Sequence, residues 1–282
     1  MKICKVIFSV NRLEYLIPTL ETTCKYVDWG DHEVDGIFID DMPTDRNDDL
    51  IKVIAENHGY NKIILNSENL GLSHTWKASY ELLKNKGYDF IWHQEDDIVI
   101  NQPVRIDDMI EYLYQKESCY QVHLSRQTDW YYPDQKDLHK KEGVDLKEWK
   151  NFYTTPHLNS TFSASFSLTK ANHYINALTS WQDGKMPVGI AEGSKIFAEG
   201  FIFEVFNYYS TLLDNNKPWG ITFYDKDKKK ITEHIGEWTW GHRVSAEYLK
   251  NKNSENWVHE QLKQQINNPT NKINSRTWLP LK

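Results

Sequence analysis

The sequence predicts an α/β fold in which a mainly parallel sheet carries helices on both faces. Short apolar runs alternate four times with amphipathic stretches over residues 1–100. Such alternation is typical of parallel sheets, because their strands are joined by helical crossovers. The chain has 282 residues, of which 39 % are hydrophobic, so it is long enough to bury a substantial core. Beyond residue 100 the pattern is mixed, which predicts a less regular second half.

Each predicted element follows from a local pattern. Strands are expected at 3–10, 34–39, 62–65, 90–93, 120–124 and 161–168, where apolar residues run together. Helices are expected at 14–26, 48–58, 73–86, 105–116 and 192–213, where apolar residues recur three and four positions apart. Gly59 ends the second helix and Gly87 follows the third, as glycines do at helix ends.

Composition excludes several classes of protein. The formal net charge of −7 argues against a general nucleic-acid binder, because phosphate backbones require clustered Lys and Arg. Cys4, Cys24 and Cys119 are scattered, without the spacing of a metal site, and fit reduced thiols of a cytosolic compartment. No segment has the roughly 18 apolar residues of a membrane span, and the start is unlike a signal peptide. We therefore expect a cytoplasmic protein without a membrane span.

Three consecutive carboxylates, Glu95, Asp96 and Asp97, follow the predicted strand at 90–93. Side by side they repel one another unless a cation neutralises them. Apolar runs on both sides place the acids between buried segments, where an unpaired charge is unfavourable. Clustered oxygen ligands suit a hard ion such as Mg²⁺ or Mn²⁺. The sequence therefore predicts a divalent-metal site here, with a solvated acidic turn as the alternative.

Two more polar clusters, Ser9–Arg12 and Asp40–Asp45, follow the first and second predicted strands. Because the carboxyl ends of parallel strands meet at one edge of a sheet, we expect both clusters to converge with the three acids. A carboxylate of the second cluster can accept hydrogen bonds from a base or a ribose, or it can simply cap the next helix. The segment Asn69–Gly71 precedes the third helix, whose first N–H groups suit a diphosphate.

In order and spacing, these four clusters resemble the nucleotide-binding half of GT-A glycosyltransferases, most closely the inverting family-2 type. The resemblance implies a GT-A, Rossmann-like fold with a mixed acceptor-binding half. It implies a metal-dependent glycosyltransferase, a hexosyl- or pentosyltransferase, that moves a sugar from a UDP-sugar to a glycan or other hydroxyl acceptor. It also implies one catalytic domain over residues 1–245, with a nucleotide-binding half at 1–100 and an acceptor half at 101–245. Residues 246–282 are expected to form a C-terminal helix and tail.

The resemblance implies roles for residues of the first two clusters. Ser9 and Asn11, with Arg12 beside them, match the loop after the first strand, which contacts the nucleotide. Asp41, or its neighbour Asp40, matches the carboxylate that binds the base, usually uracil.

The resemblance also implies how the metal and the diphosphate are held. Asp97 matches the last acid of the DxD motif, the direct metal ligand, and Glu95 or Asp96 matches the acid that reaches ribose or a bound water. The family often places an Arg in the helix after its Asn-x-Gly motif, here Asn69 to Gly71. This chain has none there, so His74 or Lys77 would make that contact.

An inverting transferase needs a general base for the acceptor hydroxyl. In the family this base is an Asp or Glu at the start of a helix well downstream of the metal motif, which Glu192 matches. Glu199 and Asp183 are the alternatives, and a helix-capping role is the structural alternative for Glu192. His234 resembles the C-terminal His that many GT-A enzymes supply to the metal or diphosphate.

Aromatic side chains make up 13 % of the chain, and some are candidates for stacking on sugar rings. Trp92 and His93 lie beside the acids, and Trp130 and Trp181 lie in the expected acceptor half. Two other functions remain open. A sugar nucleotidyltransferase would normally show a Gly-rich start, and residues 8–13 contain no Gly. A non-catalytic carbohydrate-binding protein would explain the aromatics but not the acids.

Overall fold

The computed structural model describes residues 1–43, 45–68, 72–117, 119–125, 147–156, 166–182, 220–226, 231–235, 273–274 and 279–280. The helix predicted at 192–213 lies outside these residues. None of the helices in the described ranges has both the length and the apolar character that a membrane crossing requires.

Helices and strands alternate in the first part of the chain. Their order is β1 (Lys2–Ser9), α1 (Leu13–Tyr26), β2 (Val27–Asp28), β3 (Glu33–Asp40), α2 (Asp48–Asn57), β4 (Lys62–Leu65), α3 (Leu72–Leu83), β5 (Phe90–Glu95) and β6 (Ile98–Ile100). The later elements are β7 (Val104–Arg105), α4 (Ile106–Gln115), β8 (Gln121–Leu124), β9 (Lys147–Trp149), β10 (Phe152–Pro156), β11 (Ser167–Lys170), α5 (Ala171–Gln182), β12 (Gly220–Asp225), β13 (Thr232–His234), β14 (Ile273–Asn274) and β15 (Leu279–Pro280).

Nine of the described strands form the main sheet, in the order β4-β3-β1-β5-β11-β8-β12-β10-β9. Neighbours are parallel from β4 to β5 and between β8 and β12. Strand β11 is antiparallel to both β5 and β8, and β10 is antiparallel to both β12 and β9. All strands of this sheet except β10 and β11 therefore point the same way, which confirms the predicted mainly parallel α/β fold.

Helices cover both faces of the sheet, because side chains alternate along each strand. On one face, Ile91 of β5 packs with Trp76 of α3 and Tyr174 of α5, and we name it the α3–α5 face. On the other, apolar residues of α1, α2 and α4 cover the sheet, and we name it the α1–α2 face. Complete burial of a large apolar side chain such as Trp76 contributes about 2 kcal/mol, so the two cores fix the sheet firmly.

The structure departs from the predicted elements in several places, of which three bear on the site or the sheet. Strand β5 continues to Glu95, two residues beyond the predicted end, because its backbone pairs with β1 whatever the polarity of the side chains. Helix α5 was not predicted, and neither was the hairpin formed by β9 and β10. The first acid of the predicted metal motif thus lies within a strand rather than beyond it.

A small second sheet brings a distant segment beside the acids. Strand β13 pairs antiparallel with β6, so that His234 lies opposite Ile98. The N–H of Ile235 donates to the main-chain oxygen of Asp97 at 2.8 Å. The backbone around His234 is therefore held directly against the acidic turn.

Candidate functional site

The carboxyl ends of β1, β3 and β5 meet at one edge of the sheet, as the sequence predicted. The N–H of Val10 donates to Asp96 at 3.1 Å, and the next N–H, that of Asn11, donates to Asp40 at 2.7 Å. Successive donors thus point to opposite neighbouring strands. Asn11 has a φ of 57°, in the left-handed region that Asn tolerates better than most residues. The loop after β1 therefore connects the two acidic clusters.

Asp40 is completely buried, and its carboxylate accepts hydrogen bonds from other groups of the protein. Besides Asn11, the N–H of Met42 donates to it at 3.1 Å and Nη1 of Arg46 at 3.0 Å. Arg46 also donates to the main-chain oxygen of Asn66 at 3.0 Å. Because three donors converge on Asp40, its role in the structure is to fix the loops after β1, β3 and β4.

Asp41 has different surroundings, although it is adjacent in sequence. Asp40 is the last residue of β3 and alternates with Phe38 onto the α1–α2 face, whereas Asp41 lies just beyond the strand. The carboxylate of Asp41 accepts a hydrogen bond from Nδ2 of Asn66 at 2.8 Å. Of the two acids that the sequence left as alternatives, Asp40 is the one engaged by Arg46 and two backbone N–H groups.

Asp96 also points to the α1–α2 face and is only 2 % exposed. Two nitrogen atoms of the Arg12 guanidinium contact its carboxylate oxygens, and Val10 donates to one of them. Burial raises the pKa of Asp96, and the charge of Arg12 opposes that rise. The main-chain oxygen of Asp96 accepts a hydrogen bond from Oγ1 of Thr19 at 3.1 Å.

Arg12 bridges two of the three acids. Its Nη1 lies 2.9 Å from Oδ2 of Asp97, while the rest of the guanidinium contacts Asp96. Burial alone would lower the pKa of Arg12, but the two carboxylates outweigh burial and raise it. Arg12 therefore remains charged and neutralises part of the acidic cluster from the α1 side.

A divalent cation at this edge would have to occupy an open site rather than a closed one. Within the described residues, no three His, Cys, Asp or Glu side chains are arranged to enclose a metal ion. Mg²⁺ and Mn²⁺ in nucleotide sites need only one or two carboxylates, because phosphate oxygens and water complete their shell. Glu95 and Asp97 supply such oxygens, and the backbone of His234 lies next to them. The side chain of His234 is outside the description.

Ser9 ends β1 between the two acidic clusters. Its hydroxyl is buried, at 2 % exposure, and has no hydrogen-bond partner in the part of the chain that the structure describes. A buried hydroxyl without a partner costs about 1–3 kcal/mol, and a bound water or ligand would remove that cost. The position of Ser9 agrees with a ligand at this edge.

Trp92 and His93 do not reach the surface of the edge. Trp92 is fully buried and packs edge-on against Trp29 and Phe166. His93 is 1 % exposed and stacks on Trp76 at 4.6 Å between ring centroids. Their predicted stacking on sugar rings is therefore not supported, because β5 is a central strand with helices on both faces.

The remaining predicted site residues fall partly or wholly outside the described residues. These are Asn69, Gly71, Trp130, Asp183, Glu192 and Glu199. His74 and Lys77 lie in α3, and Trp181 lies in α5, but their side chains are not described.

Sequence reasoning missed five side chains that shape this edge. They are Thr19, Thr22 and Thr23 of α1, which hydrogen-bond around the acidic turn, and Arg46 and Asn66, which hold the loops after β3 and β4. Three Thr within five positions lower the helix propensity of α1, but this pattern alone does not indicate a contact outside the helix, because Thr hydroxyls commonly bond within their own helix.

No family model matches the sequence, and a search of curated proteins also finds no match. Solved structures share the fold. TarS from S. aureus superposes with a TM-score of 0.51 at 15 % identity, over 83 % of this chain and 37 % of that one. The mannosyltransferase PcManGT from Pyrobaculum calidifontis, in complex with GDP-Man and Mn²⁺, gives a TM-score of 0.50 at 9 % identity. That likeness covers 86 % of this chain and 59 % of the mannosyltransferase.

This chain therefore spans less than two thirds of either solved structure. At such low identity the likeness establishes the fold alone. The fold is a mixed α/β arrangement around a mainly parallel sheet, shared with a glycosyltransferase.

Proposed function

We propose that this protein is a metal-dependent glycosyltransferase that transfers a sugar from a nucleotide-sugar donor, a UDP-sugar, to a hydroxyl acceptor. The observation that carries the proposal is the meeting of three strand ends around the loop after β1. Carboxylates from β3 and β5 and the buried hydroxyl of Ser9 lie together there. The fold shared with a mannosyltransferase that was solved with GDP-Man and Mn²⁺ supports it.

The donor would be held by residues around this edge of the sheet. Asp41 is the carboxylate for the base or ribose, since Asp40 already accepts three hydrogen bonds within the protein. Asp97 and Glu95 would hold Mn²⁺ or Mg²⁺, with His234 as a further ligand. When bound, the cation supplies Lewis-acid stabilisation of the departing diphosphate. Asn69, Gly71, His74 and Lys77 would contact the diphosphate from the start of α3.

Glu192 would accept the proton of the attacking hydroxyl. With the diphosphate leaving on the opposite face, the attack inverts the anomeric carbon. Asp183 and Glu199 are the alternative bases. Trp130 and Trp181 remain proposed contacts of the acceptor.

A thermal-shift panel tests the donor. The protein is heated with UDP-, GDP- and dTDP-sugars, each in Mn²⁺ and each in EDTA. We expect UDP-sugars to raise the melting temperature in Mn²⁺ and to lose this effect in EDTA. A larger shift with GDP-sugars would identify guanine instead of uracil as the base that is bound, and the proposed reaction class would stay the same. Equal shifts in Mn²⁺ and EDTA would contradict the metal site.

Product analysis separates the proposal from its two alternatives. Incubation with the preferred donor and Mn²⁺ should release the nucleoside diphosphate, by transfer or by slow hydrolysis. A nucleotidyltransferase would instead release pyrophosphate from a nucleoside triphosphate and a sugar phosphate. A carbohydrate-binding protein would retain glycans without any turnover. Glu192→Gln should bind the donor normally and lose transfer, whereas Glu199→Gln should keep both.

A further inference from the structure

Helix α1 packs against residues 94–100, the segment that carries the three acids between β5 and β6. We name this segment the acidic segment. It leaves the main sheet after Glu95 and pairs with β13 only at Ile98–Ile100, so the backbone groups that face away from β13 need other hydrogen-bond partners. Side chains of α1 supply several of them.

Thr22 and Thr23 each bond to their own helix and to the acidic segment. The Thr22 hydroxyl donates to the main-chain oxygen of Pro18 at 2.8 Å and accepts the N–H of Ile100 at 3.2 Å. The Thr23 hydroxyl donates to the main-chain oxygen of Thr19 at 2.8 Å. It also accepts a hydrogen bond from Nε2 of Gln94 at 2.9 Å. Each hydroxyl thus serves as donor and acceptor at once, which fixes its orientation.

Thr19 bonds to the middle of the acidic segment. Its hydroxyl donates to the main-chain oxygen of Asp96, whose carboxylate is held in turn by Arg12 from the start of the same helix. Contacts from one helix therefore reach both ends and the centre of the segment.

Because most of the bonded groups are buried, loss of one of these hydrogen bonds should be costly. Thr19, Thr23, Gln94 and Ile100 are all at most 3 % exposed. In so dry an environment a donor or acceptor left without its partner is costly, whereas Thr22 is partly exposed and its bond to Ile100 is less protected from water. Threonine also has a lower helix propensity than Ala or Leu, so three of them in α1 are unfavourable for the helix alone. Their contribution lies in the contact with the acidic segment.

We propose that α1 sets the affinity for the cation and the diphosphate by positioning the acidic segment. Thr19, Thr22, Thr23 and Arg12 are positioning residues, which act through the backbone and side chain of Asp96 and through the ends of the segment. They lie on the α1–α2 side, and Glu95 points to the α3–α5 side. This inference rests on the proposed function, because it assigns that function's ligands to Glu95 and Asp97.

The experiment compares isosteric variants that remove one hydroxyl each. Thr19→Val and Thr22→Val delete hydrogen bonds to the segment, and Thr19→Ser restores the first. Thr179→Val is the matched control, since Thr179 bonds to Ile175 and Tyr80 on the other side of the sheet. Mn²⁺-dependent UDP affinity is measured by calorimetry well below the melting temperature. Amide hydrogen exchange of residues 96–100 is measured without ligand.

We expect both Val variants to weaken UDP binding in Mn²⁺ by about tenfold, the usual effect of losing a partner that orients a metal ligand. Exchange of the Ile100 amide should rise in Thr22→Val. Thr19→Ser should bind like the wild type, and Thr179→Val should lower the melting temperature without changing affinity. Val variants that lose stability as Thr179→Val does, with unchanged affinity, would overturn the inference.

The failure of the proposed function would look different. Wild-type protein that binds UDP equally in Mn²⁺ and EDTA, or does not bind it, would contradict the metal-dependent site before any variant is compared. The predicted effect on affinity then fails together with the proposed function, and exchange decides whether α1 holds the acidic segment in place. Unchanged exchange at residues 96–100 in both Val variants overturns it, and faster exchange supports it.

Discussion

Two arginine–aspartate pairs lie at the ends of β3 and β5, the strands on either side of β1, and the further contacts of the two arginines differ. Arg46 pairs with Asp40 at the end of β3 and otherwise bonds to Asp48 and to the backbone of Asn66. Arg12 pairs with Asp96 after β5, but its Nη1 also reaches Asp97. Both aspartates point to the α1–α2 face, and both accept a backbone N–H from the loop after β1.

The two arginines therefore have different expected roles, Arg46 mainly in stability and Arg12 in both stability and ligand binding. The contacts described for Arg46 include no proposed cation ligand, and it reaches Asp41 only through Asn66, so its loss should affect stability more than Mn²⁺-dependent binding. Arg12 contacts one scaffold acid and one proposed cation ligand, so its loss should affect both. A buried ion pair is therefore not evidence of function by itself. The further contacts of the arginine decide whether its loss should affect ligand binding.

The Arg46 pair gives the largest expected effect. Arg46→Met leaves the buried Asp40 without its counter-charge, which should cost about 3 kcal/mol of unfolding free energy. Urea denaturation measures the loss, with Arg46→Lys as a milder variant if Arg46→Met does not fold. UDP affinity in Mn²⁺ should stay within about twofold of the wild type in the folded variant. A tenfold loss of affinity at full folding would remove the distinction between the pairs.

The Arg12 pair should show a smaller loss of stability and a change in binding. Arg12→Lys keeps the charge but loses the planar fork that spans Asp96 and Asp97. We expect about 1–2 kcal/mol less stability, in line with a lost charged hydrogen bond, by urea denaturation. We also expect about tenfold weaker Mn²⁺-dependent UDP binding. Normal affinity with lowered stability would make Arg12 equivalent to Arg46.

A buried group outside both pairs should add to the pH dependence of stability. Burial, together with the charge of Lys170, lowers the pKa of His173 from 6.5 to about 3. Between these values the unfolded chain binds a proton that the folded chain does not, so stability is full above pH 6.5 and falls as the pH drops. From pH 7.5 to 5.5 this group should cost about 1.4 kcal/mol. Denaturation of His173→Phe, which keeps a ring against Tyr120, should lack this part of the loss.

The smallest expected effect is on the reactivity of the three cysteine thiols, which tests how the core around them is packed. Burial raises the pKa of Cys4 and of Cys119 to about 12, whereas Cys24 on α1 is exposed. A thiol reagent at pH 8 should therefore modify one cysteine quickly in the native protein and all three after denaturation. Rapid reaction of Cys4 in the native state would contradict the packing of β1.

Much of the structure of residues 1–100 follows from sequence pattern. Apolar runs predicted β1, β3, β4 and β5 to within a few residues, and the rule that parallel strands end at one edge predicted the meeting of the acidic clusters. These predictions succeed because burial of strands and helices leaves a period in the sequence. Helix α5 was missed because its buried residues Tyr174, Ala177 and Leu178 are interspersed with Asn, His and Thr.

The sequence pattern could not predict which side chain each aspartate contacts. Nothing local tells that Asp40 bonds to Arg46 while Asp41 bonds to Asn66, because these contacts depend on how loops after three strands pack together. Strand alternation predicts only that adjacent acids point to opposite faces. The threonines of α1 were equally ambiguous, since a Thr hydroxyl commonly bonds within its own helix.

The central claim is that the acidic segment binds a cation and a nucleotide diphosphate together. Calorimetric titration of UDP in Mn²⁺ and in EDTA tests it most directly, with the wild type, Asp97→Asn and Thr179→Val as the control. We predict Mn²⁺-dependent binding in the wild type and the control, and its loss in Asp97→Asn. Binding of UDP by Asp97→Asn with wild-type affinity and Mn²⁺ dependence would contradict the assignment of this edge as the metal and nucleotide site.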